Sequence, residues 1–171
     1  MNELLSKHGP EVQSILARYP DEKRSAVMPL LYLAERDEGY VPEKALHDIA
    51  EILGIEATEV GTILGFYNFF YDRPGGKYHL YVCTDLPCAL NGTEEFFDQL
   101  SQRLGLKAGE TSADGLITLH ESPCIAACHR SPVMTVQGDG QFTYYENLTV
   151  ESVLGVIEQL RQKASQKEAA Q

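Results

Sequence analysis

The sequence is short of positive charge: 14 Lys and Arg stand against 25 Asp and Glu, a formal net charge of −11. Nucleic acid is therefore not an expected partner, because phosphate binding depends on Lys and Arg neutralising backbone charge, and no basic run offsets the balance. Long hydrophobic runs are missing too. The longest apolar stretches, such as Val27–Ala34 and Ile63–Phe70, fall far below the ~20 residues that cross a bilayer, so an integral membrane protein is not expected. Residues 1–9 show neither a basic start leading into a long apolar segment nor a small-residue cleavage site, and the expected compartment is the cytoplasm. No Gly-x-Gly-x-x-Gly opens a helix after a strand, which removes the usual dinucleotide signature. No Ser/His/Asp arrangement or carboxylate pair argues for hydrolysis. Internal repeats and extended low-complexity segments are lacking as well.

What is present suits a soluble globule. Hydrophobic residues make up 43% of the 171 residues and charged ones 23%, which is neither a disordered nor a membrane composition. Up to about Tyr71 the apolar residues repeat with the i, i+3, i+4, i+7 spacing of one helix face. The matches are Val12/Ile15/Leu16/Tyr19, Val27/Leu30/Leu31/Ala34, Leu46/Ile49/Ala50/Leu53 and Val60/Ile63/Leu64/Tyr67, and they predict a small antiparallel helical bundle. Pro29, inside the second match, is expected to kink that helix or move its start. Gly61 and Gly65 lie one turn apart in the fourth, where close helix packing is expected and a partner's docking groove is the sharper alternative. The aromatic run Phe66-Tyr67-Asn68-Phe69-Phe70-Tyr71 is either a seam against the rest of the chain or a surface for a partner.

After the linker Asp72–Gly76 the period changes. Tyr78–Cys83 and Leu116–His120 read as strands around a helix at Thr93–Leu104, a β-α-β order. Val133–Gln137 and Gln141–Tyr145 flank Gly138-Asp139-Gly140 and predict a hairpin. Thr149 is a candidate N-cap for a last helix carrying Val153, Val156, Ile157 and Leu160, and the polar stretch Lys163–Gln171 is expected to fray. The division is 1–75 for the bundle, 76–163 for the sheet domain and 164–171 for a polar tail.

All four cysteines fall after the linker. Four residues separate Cys83 from Cys88 and three separate Cys124 from Cys128. If the first two strands are parallel, as the handedness of crossovers favours, their C-terminal ends are neighbours and both pairs sit at the same end of the sheet. Pro87 and Pro123 each stiffen a cysteine loop, and Ala89, Ala126 and Ala127 leave room beside the sulfurs. Four thiolates suit an iron–sulfur cluster or a tetrahedral zinc. The gaps are loose for zinc knuckles and also depart from the common ferredoxin runs. A redox disulfide is the weakest alternative, because no Cys-x-x-Cys lowers a thiol's pKa.

The motifs Cys83-Thr84-Asp85-Leu86-Pro87-Cys88 and Glu121-Ser122-Pro123-Cys124-Ile125-Ala126-Ala127-Cys128-His129-Arg130-Ser131-Pro132-Val133-Met134 resemble those of the NuoE family, the 2Fe-2S proteins at the NADH-oxidising end of respiratory complex I. The likeness continues in Gly39-Tyr40-Val41-Pro42, Ile49-Ala50, Leu53-Gly54, Phe66-Tyr67 and Tyr144-Tyr145-Glu146-Asn147-Leu148-Thr149, and so covers nearly the whole chain. It departs at Ala126, where the family often has glycine, and at His129, where it often has aspartate. Ala126 adds a methyl near the sulfurs and His129 adds a donor or a charge. His129 is not expected to be a ligand, since a Rieske-type centre needs two histidines on one iron.

The resemblance implies an α+β chain: an N-terminal helical bundle followed by a thioredoxin-like α/β domain carrying one 2Fe-2S cluster on Cys83, Cys88, Cys124 and Cys128. It implies an electron-transfer role in NADH:quinone oxidoreductase, not catalytic alone. FMN and NADH would sit on a NuoF-like partner subunit in a hetero-oligomer, in a peripheral arm at the cytoplasmic face of the inner membrane if bacterial. The corresponding 2Fe-2S subunit of a soluble NAD-linked hydrogenase or formate dehydrogenase is the near alternative. A zinc-stabilised thioredoxin-like module is the alternative from another class. His8, His47, His79 and His120 stand at unrelated positions in the sequence, and surface or core packing is expected for each.

Overall fold

A computed structural model of the chain describes residues 2–67 and 69–168. It forms two compact units, Met1–Pro74 and Gly75–Gln171. Among the described residues no helix is long and apolar enough to cross a membrane.

The first unit is built from helices α1 (Glu3–Leu16), α2 (Val27–Glu38), α3 (Glu43–Leu53) and α4 (Ala57–Phe66), with a 3-10 turn at Lys23–Ala26 leading into α2. The predicted faces meet in one core, where Val12, Val27, Leu30, Leu31, Ile49 and Val60 are fully or almost fully buried. The first helix begins earlier than its apolar match, at Glu3, and is interrupted at His8, just before Pro10, whose ring and missing N–H disturb the preceding turn. Its free N-terminal amides are capped across the bundle. The buried Asp48 carboxylate of α3 accepts from the backbone N–H groups of Glu3 at 2.8 Å and Leu4 at 3.1 Å. Pro29 sits in the first turn of α2, where an N–H has no helical partner, so the proline sets the helix start instead of kinking it. Helices α2 and α3 end on Gly39 and Gly54 in the left-handed region.

The expected close packing at Gly61 and Gly65 is not found. A β-carbon at Gly61 would meet Leu46 Cδ1 at an ordinary 3.8 Å, and one at Gly65 would meet nothing within 4 Å. Both line an open hollow of about 530 Å³ with Val41, Leu46, Leu64 and Tyr67. Of the aromatic run, Phe66, Tyr67 and Phe69 are exposed, while Phe70 is buried with its ring 4.7 Å from Tyr32. Asn68 lies outside the described residues.

The second unit carries strands β1 (Tyr78–Cys83), β2 (Ile117–Ser122), β3 (Met134–Gly138) and β4 (Gln141–Tyr145), with helices α5 (Leu86–Ala89), α6 (Thr93–Leu104) and α7 (Val150–Glu168). Sheet order is β2-β1-β3-β4, with β1 and β2 parallel and β3 antiparallel to both of its neighbours. Alternation sorts the strands: Tyr78, Leu80, Val82, Ile117, Leu119, Met134 and Val136 pack with Phe97 and Leu100 of α6 and Val153 and Ile157 of α7. The start of the sheet unit is fixed by a close approach. Gly76 donates its N–H to Thr118 Oγ1 at 2.7 Å, and a β-carbon there would lie 2.5 Å from the Ile117 carbonyl carbon.

Three expectations are corrected. Strand β2 starts one residue later and runs two further than read, because its parallel ladder with β1 continues through the register pair Cys83 and Ser122. The segment around Cys88, read as loop, is the short helix α5. The polar stretch from Lys163 is helical through Glu168, since Ala164 is buried in the core and Lys163 pairs with Asp139 at 3.0 Å. Residues 169–171 of that expected tail lie outside the described residues. The predicted cap at Thr149 is present, its hydroxyl accepting from the Ser152 N–H at 3.2 Å.

Candidate metal centre

The parallel register sets the ends of β1 and β2 side by side, and the cysteine loops leave from there. The Cys83 N–H donates to the Val133 carbonyl at 3.1 Å, and the next residue, Thr84, donates to the Ser122 carbonyl at 3.1 Å. The β1 loop turns at once into α5, with Pro87 near its start, and the Cys88 N–H donates to the Asp85 carbonyl at 2.8 Å. This buries Cys88 completely. On the other side, Pro123 to Ala127 lead into a 3-10 turn at Cys128–Arg130, and Ser131 closes it by donating its N–H to the Cys128 carbonyl at 3.3 Å.

Cys83 and Cys88 join Ala127 and Val133 in a small buried apolar group, against which Ile125 and Cys128 pack. Cys124 is exposed. Three of the four sequence-predicted cysteines thus belong to or pack against one apolar group, and Cys124 does not. Among the described residues no three His, Cys, Asp or Glu side chains stand close enough to hold a metal ion as they are. Burial pushes the Cys88 thiol up to about 11, and the neighbouring Cys83 adds to the rise. A thiol so placed is a poor nucleophile and a poor disulfide former. It becomes a thiolate when a cation supplies the compensating charge, as metal coordination does. The donor chemistry therefore fits a thiolate-ligated group: soft sulfur donors in a dry pocket at the ends of two neighbouring strands.

Two loop features emerge only from the fold. Ala126 has φ of +59°, a left-handed conformation that a β-carbon makes costly by ~1–2 kcal/mol. A hydroxyl pair joins the start of α6 to the turn after Cys128, where Thr93 Oγ1 and Ser131 Oγ are 3.0 Å apart and Thr93 is fully buried. The glycine usual at position 126 in the resembled family was the available signal for the first. The second has no sequence signature, because the fold brings together residues 38 apart.

A model of the thioredoxin-like [2Fe-2S] ferredoxin family matches residues 12–161. This chain belongs to that family. Among the curated relatives, the E 2 subunit of NADH-quinone oxidoreductase from Rhizobium meliloti (strain 1021) is 38% identical over 151 residues, covering 88% of this chain and 87% of that one. NADH-quinone oxidoreductase subunit 2 of Thermus thermophilus is 38% identical over 129 residues, covering 75% of this chain and 71% of that one. Among solved structures, an NAD+-reducing [NiFe]-hydrogenase in the H2-reduced state shares the fold with a TM-score of 0.64 at 16% identity, over 80% of this chain and 22% of that chain.

The histidines correct one expectation. His79 and His120 are not unrelated: the parallel register brings them to the same sheet face, with His79 Nδ1 2.9 Å from His120 Nε2 and the rings stacked. His120 also stacks on Tyr81, with ring centroids 4.7 Å apart. Burial, reinforced by His120, holds His79 down at about 4. Burial lowers His120 as well. His8 and His47 follow expectation, with His8 bonded to Asp37 at 2.7 Å and His47 on the surface.

Proposed function

We propose that this thioredoxin-like [2Fe-2S] ferredoxin is the electron-carrying subunit of an NADH:quinone oxidoreductase, with Cys83, Cys88, Cys124 and Cys128 as the cluster ligands. The observation that carries the reading is positional. The cysteines lie at the end of β1 and on the segments that follow β1 and β2, two neighbouring parallel strands, in a chain 38% identical over 88% of its length to the Rhizobium meliloti protein. The hydrogenase likeness is one of fold at 16% identity, so the quinone-linked assembly is the first reading.

The cluster supplies one-electron redox chemistry. The chain's own contributions are to hold sulfur donors in an apolar pocket and to exclude water from Cys83 and Cys88, both of which set how readily the bound group accepts charge. Nicotinamide delivers a hydride with two electrons, and no dinucleotide signature is present in this sequence. A flavin therefore stands between the two, on a NuoF-like partner subunit that carries FMN and NADH. The assembly is a hetero-oligomer whose arm lies on the cytoplasmic side of the inner membrane if the source is bacterial. Domain roles follow the two units: all four sulfur donors belong to the sheet unit.

Reduction by NADH tests the role. The purified holo chain alone should remain oxidised with NADH, and addition of the FMN-bearing partner should permit its reduction. Direct reduction by NADH without flavin, or none with the partner present, overturns the proposal.

A further inference from the structure

Cys88 and Cys128 belong to different segments of the chain, and each stands at the start of a hydrogen-bonded run that ends on a hydroxyl. From Cys88 the run is α5 and the turn after it. The Asn91 N–H donates to the Cys88 carbonyl at 2.9 Å, the Asn91 side-chain amide to the Pro87 carbonyl at 2.9 Å, and the Gly92 N–H to the Ala89 carbonyl at 2.8 Å. Thr93 follows at once as the first residue of α6, fully buried. From Cys128 the run is the 3-10 turn, in which Arg130 donates its N–H to the Ala127 carbonyl at 3.0 Å and Ser131 to the Cys128 carbonyl at 3.3 Å. That turn is also anchored by the chain after β4: the Asn147 N–H donates to the Arg130 carbonyl at 2.8 Å and the Leu148 N–H to the Pro132 carbonyl at 3.1 Å. The two runs meet at their ends, where Thr93 Oγ1 lies 3.0 Å from Ser131 Oγ.

The strand ends have ties of their own. Thr84 donates its N–H to the Ser122 carbonyl at 3.1 Å and its hydroxyl to Glu121 at 3.2 Å. These bonds fix where the second segment leaves the sheet, but Cys128 lies six residues beyond Ser122. The bond between Thr93 and Ser131 acts at the far end, three residues past Cys128. We propose that this hydroxyl pair is a clasp that fixes the separation of Cys88 and Cys128 in the loaded protein, with Ser131 holding the Cys128 turn and Thr93 as the positioning residue that holds Ser131. The proposal rests on both cysteines being cluster ligands. A cluster accepts a narrow range of sulfur separations, and groups that orient metal ligands from outside are worth about 10–100-fold in metal affinity. A buried hydroxyl needs a partner, so Thr93 does not give up the bond without cost.

Two consequences separate the clasp from an ordinary tie within the fold. Substituting either residue removes the same bond, so the two substitutions together should do no more than one alone. A tie that only adds to global stability would also act on the cluster no differently from a hydrogen bond elsewhere in the sheet unit. Tyr78 supplies that comparison: it opens β1, the strand that Cys83 closes, and its hydroxyl donates to Asp139 at 2.9 Å.

The test uses the full holo chain purified anaerobically, with iron and sulfide analysis, EPR of the reduced cluster and the rate at which excess EDTA strips the iron. Thr93→Val and Ser131→Ala should load wild-type iron, release it about tenfold faster and shift the EPR g-values. The double variant should match the singles. Thr93→Ser, which keeps the hydroxyl, should stay near wild type, and Tyr78→Phe should leave release and spectrum unmoved. Wild-type release from loaded Thr93→Val and Ser131→Ala overturns the clasp and leaves the ligand assignment standing. So does a double variant whose acceleration is the product of the two singles, or a Tyr78→Phe protein that releases iron as fast as Thr93→Val. If Thr93→Val and Ser131→Ala do not load at all, normal loading of Tyr78→Phe supports the clasp, and its failure as well overturns it. A wild-type chain that holds no iron overturns the clasp and the ligand assignment together.

Discussion

His79 Nδ1 and His120 Nε2 stand 2.9 Å apart on one face of the sheet, 41 residues apart in the chain. At most one of the two facing nitrogens can carry the shared proton without a clash of donors, so the two rings cannot both be protonated. His79 titrates at about 4 in the folded chain against 6.5 for an ordinary histidine. The unfolded chain therefore binds more protons between those values, and the pair's stabilisation is complete above pH 6.5 and lost as pH falls toward 4. Denaturant unfolding of the sheet unit across this window should show stability rising with pH, and His79→Asn should flatten that rise. An unchanged slope in the variant contradicts the assignment.

Glu35 works in the opposite sense within the helical unit. One of its carboxylate oxygens is buried without a hydrogen-bond partner, and burial pushes the group up to about 7, with the Tyr71 N–H partly opposing the rise. The unfolded carboxyl ionises near 4.5, so this contribution is present at low pH and is lost as pH rises through the folded value. Glu35→Gln should stabilise the helical unit at about pH 8 and change little at about pH 4. Equal effects at both values would show that the carboxyl is not perturbed.

Ala126 carries the left-handed backbone of the second cysteine loop. Ala126→Gly removes the β-carbon penalty, offset in part by the greater freedom glycine gives the unfolded chain, for a net gain of about 1 kcal/mol. The urea midpoint of the apo sheet unit reads it, and a destabilised glycine variant contradicts the strain.

Two further substitutions probe the frame. Gly76→Ala forces a β-carbon against the Ile117 backbone, where no flexible side chain can yield, and should cost about 2–3 kcal/mol. Asp48→Ala removes the acceptor of the Glu3 and Leu4 amides, leaving only the Asn2 cap on Leu5, and should cost about 2 kcal/mol. Hydrogen exchange of the Glu3 and Leu4 amides should rise with it, while Asp48→Asn, which keeps an acceptor, should be milder.

Much of this was legible from period alone, because each unit has one dominant core whose faces repeat at 3.6 or 2 residues. Strand β1 and helix α6 fall where the pattern puts them, at Tyr78–Cys83 and Thr93–Leu104. Boundaries drifted where a neighbour decided them: β2 is prolonged by its ladder to β1, and α7 by the burial of Ala164. The cysteines were visible by type and spacing. Helix α5, the hydroxyls of Thr93 and Ser131 and the His79–His120 pair were not, because each depends on register or on a loop that folds back, and neither leaves a periodic trace.

The central claim is tested most directly by the iron and acid-labile sulfide content of the anaerobically purified chain, with an EPR spectrum after dithionite reduction. The account predicts about two irons and two sulfides per chain and a spin-half signal from the reduced pair. It also predicts that Cys83→Ser or Cys128→Ser loses the cluster while the helical unit stays folded. Colourless, zinc-bound protein that resists reconstitution, or full iron retention in both variants, contradicts it.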